Sequence, residues 1–321
     1  MKRFFLVGLS VLLISFSIAI ALVLSEFILR LKNSTMKNYD IEMWRYSREL
    51  KTLSPHPEMD FDHVKSKSAI LQGVEIRLNE WGLRGPNVEQ FSKSKRRILF
   101  LGGSATLGWG VLEKDTIESR LERSLRMRGE KVQVLNGGVG NYNSTRYISR
   151  FFYDLKDLHP TDIVILSFLR DAEELEPGGG NWFLQNSELA VTGWIAYHRL
   201  FDKSGMQVLL EHYNHVYAPE SASLLKTKDA LENLSRYAKA NNIRIYFAMM
   251  PDIHDLTNYK FEFAHKVMIK IANDLGYQTI DLLPVFSNHN ELDFWAMHGD
   301  PHPNAMAHML MADSLLPLLS K

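Results

Sequence analysis

A serine and an Asp-x-His pair, far apart in the sequence, could together perform nucleophilic chemistry. Ser104 follows a short apolar run and two glycines, Gly102 and Gly103. Near the other end of the chain, Asp300 stands two residues before His302 in a loop rich in proline and glycine. These three residue types can supply a nucleophile, a base that takes its proton and an acid that orients the base.

Ser104 also has plainer interpretations. Serine is a preferred N-cap residue, so Ser104 could simply cap the helix that follows it. The glycines around it resemble a phosphate-binding loop, but no Gly-Lys-Ser/Thr sequence follows them. The Asp-x-His pair at the other end of the chain favours the catalytic interpretation.

The elements that must position these residues alternate between apolar runs of strand length and amphipathic helices. We predict strands from Arg97 and over 131–135, 162–168, 244–250 and 278–283, and helices over 116–128, 147–158, 221–241, 261–275 and 304–319. This order predicts an α/β fold, a doubly wound parallel sheet flanked by helices in three layers. The carboxyl ends of parallel strands share one edge, where Ser104, Gly138, Arg170 and residues 298–304 would converge.

Composition excludes several classes of function. Among 321 residues, Lys+Arg and Asp+Glu each number 37, so the zero net charge argues against a nucleic-acid partner. The absence of cysteine excludes disulfides and a cysteine nucleophile. We expect no cofactor and no metal, because His254 with Asp252 and Asp255 is a weak ligand set. His308 is expected to be structural, and His298 is a candidate substrate contact.

The amino terminus predicts a single-pass membrane protein. Phe4 to Leu24 is almost wholly apolar and long enough to span a bilayer. Lys2 and Arg3 precede it, which favours a cytoplasmic amino terminus and an extracytoplasmic domain. An uncleaved anchor is favoured over a cleaved signal, because the Ala-x-Ala sequence lies inside the apolar run.

The predicted organisation has three parts. Residues 1–32 form the anchor, residues 33–69 an irregular polar stalk or lead-in, and residues 70–321 the α/β domain. We expect a strand over 70–78 at the start of that domain. An insertion at 178–210, which begins Gly-Gly-Gly and contains two tryptophans, is a candidate lid.

Four blocks of sequence, taken in order, resemble the SGNH/GDSL-type hydrolases over roughly residues 70 to 320. The segment Asn79-Glu-Trp-Gly-Leu-Arg-Gly85, ahead of these blocks, is similar to a segment in the group of these hydrolases that has an N-terminal membrane helix. The blocks are Gly-Gly-Ser-x-Thr at 102–106, Asn-Gly-Gly at 136–138, Arg-Asp-Ala-Glu at 170–173 and Asp-Pro-His-Pro-Asn at 300–304. The resemblance implies an SGNH/flavodoxin-like sandwich and a serine hydrolase.

Transferred residue by residue, the resemblance implies a role for each site residue. Ser104 would be the nucleophile, His302 its base and Asp300 the orienter of His302, while the Ser104 and Gly138 amides would bind the oxyanion. Arg170 stands where the family has an asparagine. An arginine there could donate to the oxyanion, pair with a neighbouring acid or bind an anionic substrate group. Asn141 could supply a replacement amide, although a turn role is the plainer interpretation.

The sequence therefore predicts a membrane-anchored serine esterase that removes an acyl group, such as acetyl, from a carbohydrate or lipid outside the cytoplasm. An O-acyltransferase acting on an exported polysaccharide, with an envelope or assembly partner, would use the same acyl-enzyme. A non-catalytic glycan-binding or assembly protein is the alternative from another class, and the Arg170 replacement motivates it.

Overall fold

The computed structural model describes residues 2–35, 38–92, 95–176, 178, 180–201, 205–287 and 289–320. The chain forms two compact units. The first comprises Met1–Arg48 with Gly179–Lys203, and the second Glu49–Gly178 with Ser204–Lys321. The predicted division into an anchor, a lead-in and one domain stays a prediction. Gly179 and residues 202–204 of the predicted insertion lie outside the described residues.

The strands lie in the second unit. In chain order they are β1 (Lys51–Leu53), β2 (Phe61–His63), β3 (Ser68–Leu71), β4 (Val74–Arg77), β5 (Arg96–Gly102), β6 (Val132–Asn136), β7 (Asp162–Ser167), β8 (Arg244–Met249), β9 (Gln278–Asp281), β10 (Trp295–Met297) and β11 (Asp300–Pro303). Within the described part of the chain, β6-β5-β7-β8-β9 form a five-stranded sheet in that order, and every pair is parallel. With β5 taken as the first strand, the order is 2-1-3-4-5, that of a flavodoxin-like doubly wound sheet.

Helices cover both faces of this main sheet. The helices of the chain are α1 (Lys2–Thr35), α2 (Tyr39–Leu50), α3 (Ser104–Leu107), α4 (Ile117–Met127), α5 (Ser144–Arg150), α6 (Trp182–Asn186), α7 (Glu188–Phe201), α8 (Met206–Val216), α9 (Ala222–Ala240), α10 (Glu262–Asp274) and α11 (Ala305–Leu319). Because successive side chains of a strand point to opposite faces, Ile98 and Phe100 pack with α4 and α11, whereas Leu99 and Leu101 pack with α5, α9 and α10. The predicted fold class, a doubly wound parallel sheet flanked by helices, is confirmed.

Three local predictions were wrong. The lead-in is ordered rather than irregular, since it contains α2 and the antiparallel pair β1–β2. The single strand expected over 70–78 is a hairpin, β3–β4, whose turn residues Gln72 and Gly73 both have positive φ. The Asp-x-His loop is not irregular either: Asp300 and His302 lie on β11, which pairs antiparallel with β10.

The first unit contains α1, α6, α7 and most of α2. Helix α1 includes the segment Phe4–Ser34, and an 18-residue stretch within it has a mean hydropathy of 2.7 and is not buried at all. It is long and apolar enough to cross a membrane, a test that a signal sequence would also pass. Helices α2 and α7 lie side by side in opposite directions, because Arg48 pairs with Glu188 and Asp40 pairs with Arg199.

Candidate functional site

A chain of hydrogen bonds joins three of the predicted site residues. The Oγ atom of Ser104 lies 2.8 Å from Nε2 of His302, and Nδ1 of His302 lies 2.6 Å from Oδ1 of Asp300. An ionised carboxylate only accepts hydrogen bonds, so Nδ1 carries the ring proton and Nε2 is left to accept from the serine hydroxyl. This tautomer is the one in which a histidine can take a proton from Ser104.

The carboxylate of Asp300 is held from several directions. Its Oδ1 also accepts from the backbone N–H of His302 at 3.1 Å. Its Oδ2 accepts from Nε2 of Gln72 at 2.8 Å and from Nε1 of Trp109 at 3.2 Å, and the carboxylate is fully buried. These donors fix the orientation of the carboxylate, and the carboxylate in turn fixes the ring of His302. Sequence analysis did not identify Gln72 or Trp109.

Two glycines place Ser104 at a sharp exit from β5. A Cβ on Gly102 would lie 2.1 Å from Oγ1 of Thr106 and 2.8 Å from the carbonyl oxygen of Leu166, so no other residue fits there. Gly103 precedes α3, which has Ser104 as its first residue and ends at Gly108 in the left-handed conformation. The first N–H groups of a helix have no partners within the helix, so α3 presents donors beside the serine hydroxyl.

The buried guanidinium of Arg84 holds the turn that follows α3. Its Nη1 donates to the carbonyl oxygens of Leu107 and Gly108, at 2.7 and 2.6 Å, and its Nη2 donates to that of Val111 at 2.6 Å. Hydrogen bonds from a charged donor are stronger than those from a neutral one, so Arg84 stabilises one conformation of the turn at residues 107–111, which we call the nucleophile turn. Sequence analysis included Arg84 only in the segment 79–85 and assigned it no role.

The predicted oxyanion donor Gly138 lies against α3 but already has an acceptor. A Cβ on Gly138 would lie 2.2 Å from the backbone nitrogen of Leu107, so only glycine permits this approach. Its N–H donates to Oδ1 of Asn136 at 3.0 Å, and Nδ2 of Asn136 donates to the carbonyl oxygen of Thr106 at 2.7 Å. The side chain of Asn136 thus joins the loop after β6 to helix α3, and the same side chain occupies the Gly138 N–H.

The remaining predicted site residues have other partners or roles. Arg170 lies in the helical turn after β7, is half exposed, and pairs through Nε with Glu173 at 2.8 Å. Asn141 has a φ of 63°, which is the left-handed turn conformation, and its carbonyl oxygen accepts from Arg146. His298 is exposed in the turn between β10 and β11.

Two titratable groups near the nucleophile turn are fully buried. Burial lowers the pKa of His308 to about 3, assisted by Arg84 and Arg120, so its ring is neutral. Its Nδ1 accepts from the backbone N–H of Ile117 at 3.1 Å, a structural contact. Burial also raises the pKa of Glu118 to about 8, despite the opposing effects of Arg84, Thr116 and Asn136.

A second Asp-x-His pair lies after β8. Nδ1 of His254 is 2.7 Å from Oδ1 of Asp252, which also accepts the backbone N–H of His254 at 2.9 Å. The hydrogen bond that His254 donates to Asp252 raises the pKa of His254, an effect opposed by partial burial. No group of three or more His, Asp or Glu side chains suited to a metal ion is found among the described residues.

Comparisons with known proteins find only distant similarity, to solved structures of esterases among others. No family model matches the sequence, and no curated protein matches it significantly. A catalytic mutant of an acetylxylan esterase from Geobacillus stearothermophilus is 15% identical, with 71% of this chain and 95% of that chain covered and a TM-score of 0.47. An acetyl xylan esterase is 15% identical, with 70% and 99% covered and a TM-score of 0.45. A two-domain esterase active on acetylated mannans is 15% identical, with 71% and 50% covered and a TM-score of 0.45.

Proposed function

We propose that this chain is a serine esterase that hydrolyses an acyl ester through an acyl-enzyme on Ser104. The observation that carries the proposal is the hydrogen-bonded chain from Ser104 through His302 to Asp300. A serine hydroxyl at its ordinary pKa is a weak nucleophile, and an oriented histidine beside it is the usual means of activation.

Acylation follows from this geometry. As Oγ of Ser104 bonds to the ester carbonyl carbon, its proton passes to Nε2 of His302, and a tetrahedral oxyanion forms. The imidazolium is stabilised by the Asp300 carboxylate, and it then protonates the departing alkoxide as the carbon–oxygen bond breaks. A water molecule then gives a proton to the same nitrogen and attacks the carbonyl carbon of the acyl-serine. The bond between that carbon and Oγ breaks, and the imidazolium returns the proton to Oγ. The products are the carboxylic acid and free Ser104.

The oxyanion in this proposal is stabilised by the N–H of Ser104 at the start of α3. Fixed donors aimed at a developing charge account for a large share of catalysis in such sites. Gly138 would contribute only after its bond to Asn136 is exchanged for one to the oxyanion. The Nε–H of Arg170 is engaged in an ion pair with Glu173, so the proposal gives Arg170 no role as a fixed oxyanion donor.

The proposed substrate is a small acyl ester, such as an O-acetyl group, on a carbohydrate or lipid outside the cytoplasm. Two considerations support it: the resemblance of the four sequence blocks to the SGNH/GDSL-type hydrolases, and helix α1 as a membrane anchor. Lys2 and Arg3, just before the apolar segment that begins at Phe4, favour a cytoplasmic amino terminus, so the proposal assigns the Ser104 unit to the opposite side of the membrane.

One observation favours a second candidate, a glycan-binding protein without turnover. The Gly138 N–H, predicted to serve the oxyanion, donates to Asn136 instead, and Arg170 pairs with a neighbouring acid, which is one of the three alternatives that the sequence left open for it. Such a protein would bind acylated glycans whether or not Ser104 is present.

Hydrolysis of a chromogenic acetyl ester by the full chain in detergent micelles distinguishes the two. We expect Ser104→Ala to reduce kcat/KM by about 10⁴-fold or more. The matched control is Ser287→Ala, an exposed serine outside the site, which should leave the rate unchanged. Far-ultraviolet circular dichroism checks that both variants fold. Equal rates in wild type and Ser104→Ala would refute the proposal.

A further inference from the structure

Helices α6 and α7 carry large apolar side chains that face solvent. Trp182 and Phe183 on α6 are 68% and 65% exposed, and Tyr197 and Phe201 on α7 are 58% and 68% exposed. On α7, Trp194, Tyr197 and Phe201 stand at positions i, i+3 and i+7, so they share one face of the helix. Leu200, 78% exposed, adjoins them. We call this set the aromatic face.

The start of α7 is fastened to the carboxyl-terminal half of α1. Glu26 accepts from the backbone N–H groups of Glu188 and Leu189, both at 3.0 Å, and from Oγ of Ser187 at 2.8 Å. Its neighbour on α1, Arg30, donates to the carbonyl oxygen of Asn186 at 2.7 Å. The first turn of α7 therefore lies beside residues 26–30 of α1.

The apolar part of α1 fixes the depth of that junction if α1 spans a bilayer. At 1.5 Å per residue, Phe4–Leu24 is about 30 Å long, which equals the hydrocarbon thickness of a bilayer. The Glu26–Arg30 ion pair comes just after this segment, at the level where charged side chains meet the headgroups.

The far end of α7 is tied to the residues that follow α1. Arg199 pairs with Asp40, which comes five residues after α1 ends at Thr35. The start of α7 is thus fixed beside residues 26–30 of α1, and its far end is fixed to Asp40. If Phe4–Leu24 spans the bilayer, α7 begins at the depth of the membrane surface.

We propose that α6 and α7 lie in the membrane–water interface beside α1, with the aromatic face seated against lipid. Tryptophan and tyrosine favour this depth because their rings are amphipathic, and an interfacial helix buries its apolar face at the boundary between headgroups and acyl chains. The bilayer that the proposed anchor α1 enters would then cover the exposed aromatic side chains. The inference rests on the proposed anchor, but not on the reaction proposed at Ser104.

Site-directed fluorescence in liposomes tests this inference with the full chain. The sequence contains no cysteine, so each introduced cysteine is a unique labelling site for a polarity-sensitive dye. The test variants are Tyr197→Cys and Phe201→Cys. Leu12→Cys, in the middle of α1, reports on the anchor, and Met127→Cys, at the end of α4 and 76% exposed, is the matched apolar control in the other unit.

We expect dyes at residues 197 and 201 to shift to the blue and to lose most of their emission to lipids with a nitroxide near the headgroup. A dye at residue 12 should be quenched best by a nitroxide near the chain end, and a dye at residue 127 by neither. Dyes at 197 and 201 that behave like the one at 127, while residue 12 is quenched, would overturn the inference alone. Equal quenching at 127 would overturn it as well, because it would show adsorption of the whole protein. No quenching at residue 12 would overturn the anchor and this inference together.

Discussion

The molecule builds the same Asp-x-His turn twice, after β8 at Asp252–His254 and on β11 at Asp300–His302. In both turns one carboxylate oxygen accepts the backbone N–H and the ring Nδ1–H of the histidine two residues later. The two turns differ in what lies beyond the histidine. Nε2 of His302 meets Ser104, whereas no described residue hydrogen-bonds Nε2 of His254, whose side chain is 56% exposed.

The Asp-x-His motif therefore orients a histidine but does not by itself make that histidine a catalytic base. At Asp300 the second carboxylate oxygen is also held, by Gln72 and Trp109, and a nucleophile has been brought to the ring from 198 residues away. Asp252 is buried as well, but the side chain of His254 is about half exposed and faces no nucleophile among the described residues. We therefore expect equivalent substitutions in the two turns to have very different effects.

The largest difference is expected between His302→Gln and His254→Gln. Loss of the base should reduce kcat/KM by about 10⁵-fold, as for other residues that act as one unit with a nucleophile. The same change at His254 should stay within about threefold, because His254 is about half exposed and does not contact Ser104 among the described hydrogen bonds. Ester hydrolysis rates for both variants check this. Comparable losses in the two would show that the comparison is drawn wrongly.

Asp300→Asn and Asp252→Asn make the next comparison. An asparagine at 300 can donate to Nδ1 and so favour the wrong tautomer of His302, and we expect kcat to fall by about 10³- to 10⁴-fold. Asp252→Asn should leave kcat almost unchanged. Steady-state kinetics decide between these outcomes, with thermal unfolding as the check that both variants fold. Full activity in Asp300→Asn would remove the orienting role.

Gln72→Ala and Trp109→Phe test whether the second oxygen of Asp300 needs its donors. Each change removes one hydrogen bond to a charged group, so kcat should fall by about tenfold while KM changes little. A merely structural role would instead lower the melting temperature without this split between kcat and KM. Kinetics of both variants, beside unfolding curves, separate the two possibilities.

The smallest effect concerns the titration of His254. Asp252 raises its pKa above 6.5, so the pair stabilises the fold at acid pH, and this contribution is lost as pH rises through the pKa of the folded histidine. Asp252→Asn should move that pKa down. The ring-proton NMR signal of His254, followed across pH in wild type and variant, measures the shift. An unchanged midpoint would mean that Asp252 does not control His254.

Sequence patterns sufficed for the main sheet because its central strands β5, β7 and β8 are buried on both faces. Runs such as Asp162–Ser167 have no polar face to disguise them, and their ends were predicted to within a residue or two. The lead-in was missed for the opposite reason. Helix α2 is rich in charged and polar residues, so its sequence does not reveal that Tyr46 and Leu50 are fully buried.

The site was predicted as far as local motifs reach. Ser104, Asp300 and His302 stand in recognisable short motifs, so their residue types and spacing indicated their chemistry. Gln72 and Trp109 lie 228 and 191 residues from Asp300, and no sequence spacing links them to it. The bond between Gly138 and Asn136 is local, but a glycine-rich turn does not show which way its N–H groups point.

The most direct measurement is covalent labelling of the full chain with a serine-reactive phosphonate, followed by intact mass. The account predicts one adduct on wild type and on His254→Gln, and none on Ser104→Ala. His302→Gln should react far more slowly, because its serine has lost its base. An adduct that persists on Ser104→Ala, or a folded wild type that takes no label at all, would contradict the claim that His302 activates Ser104.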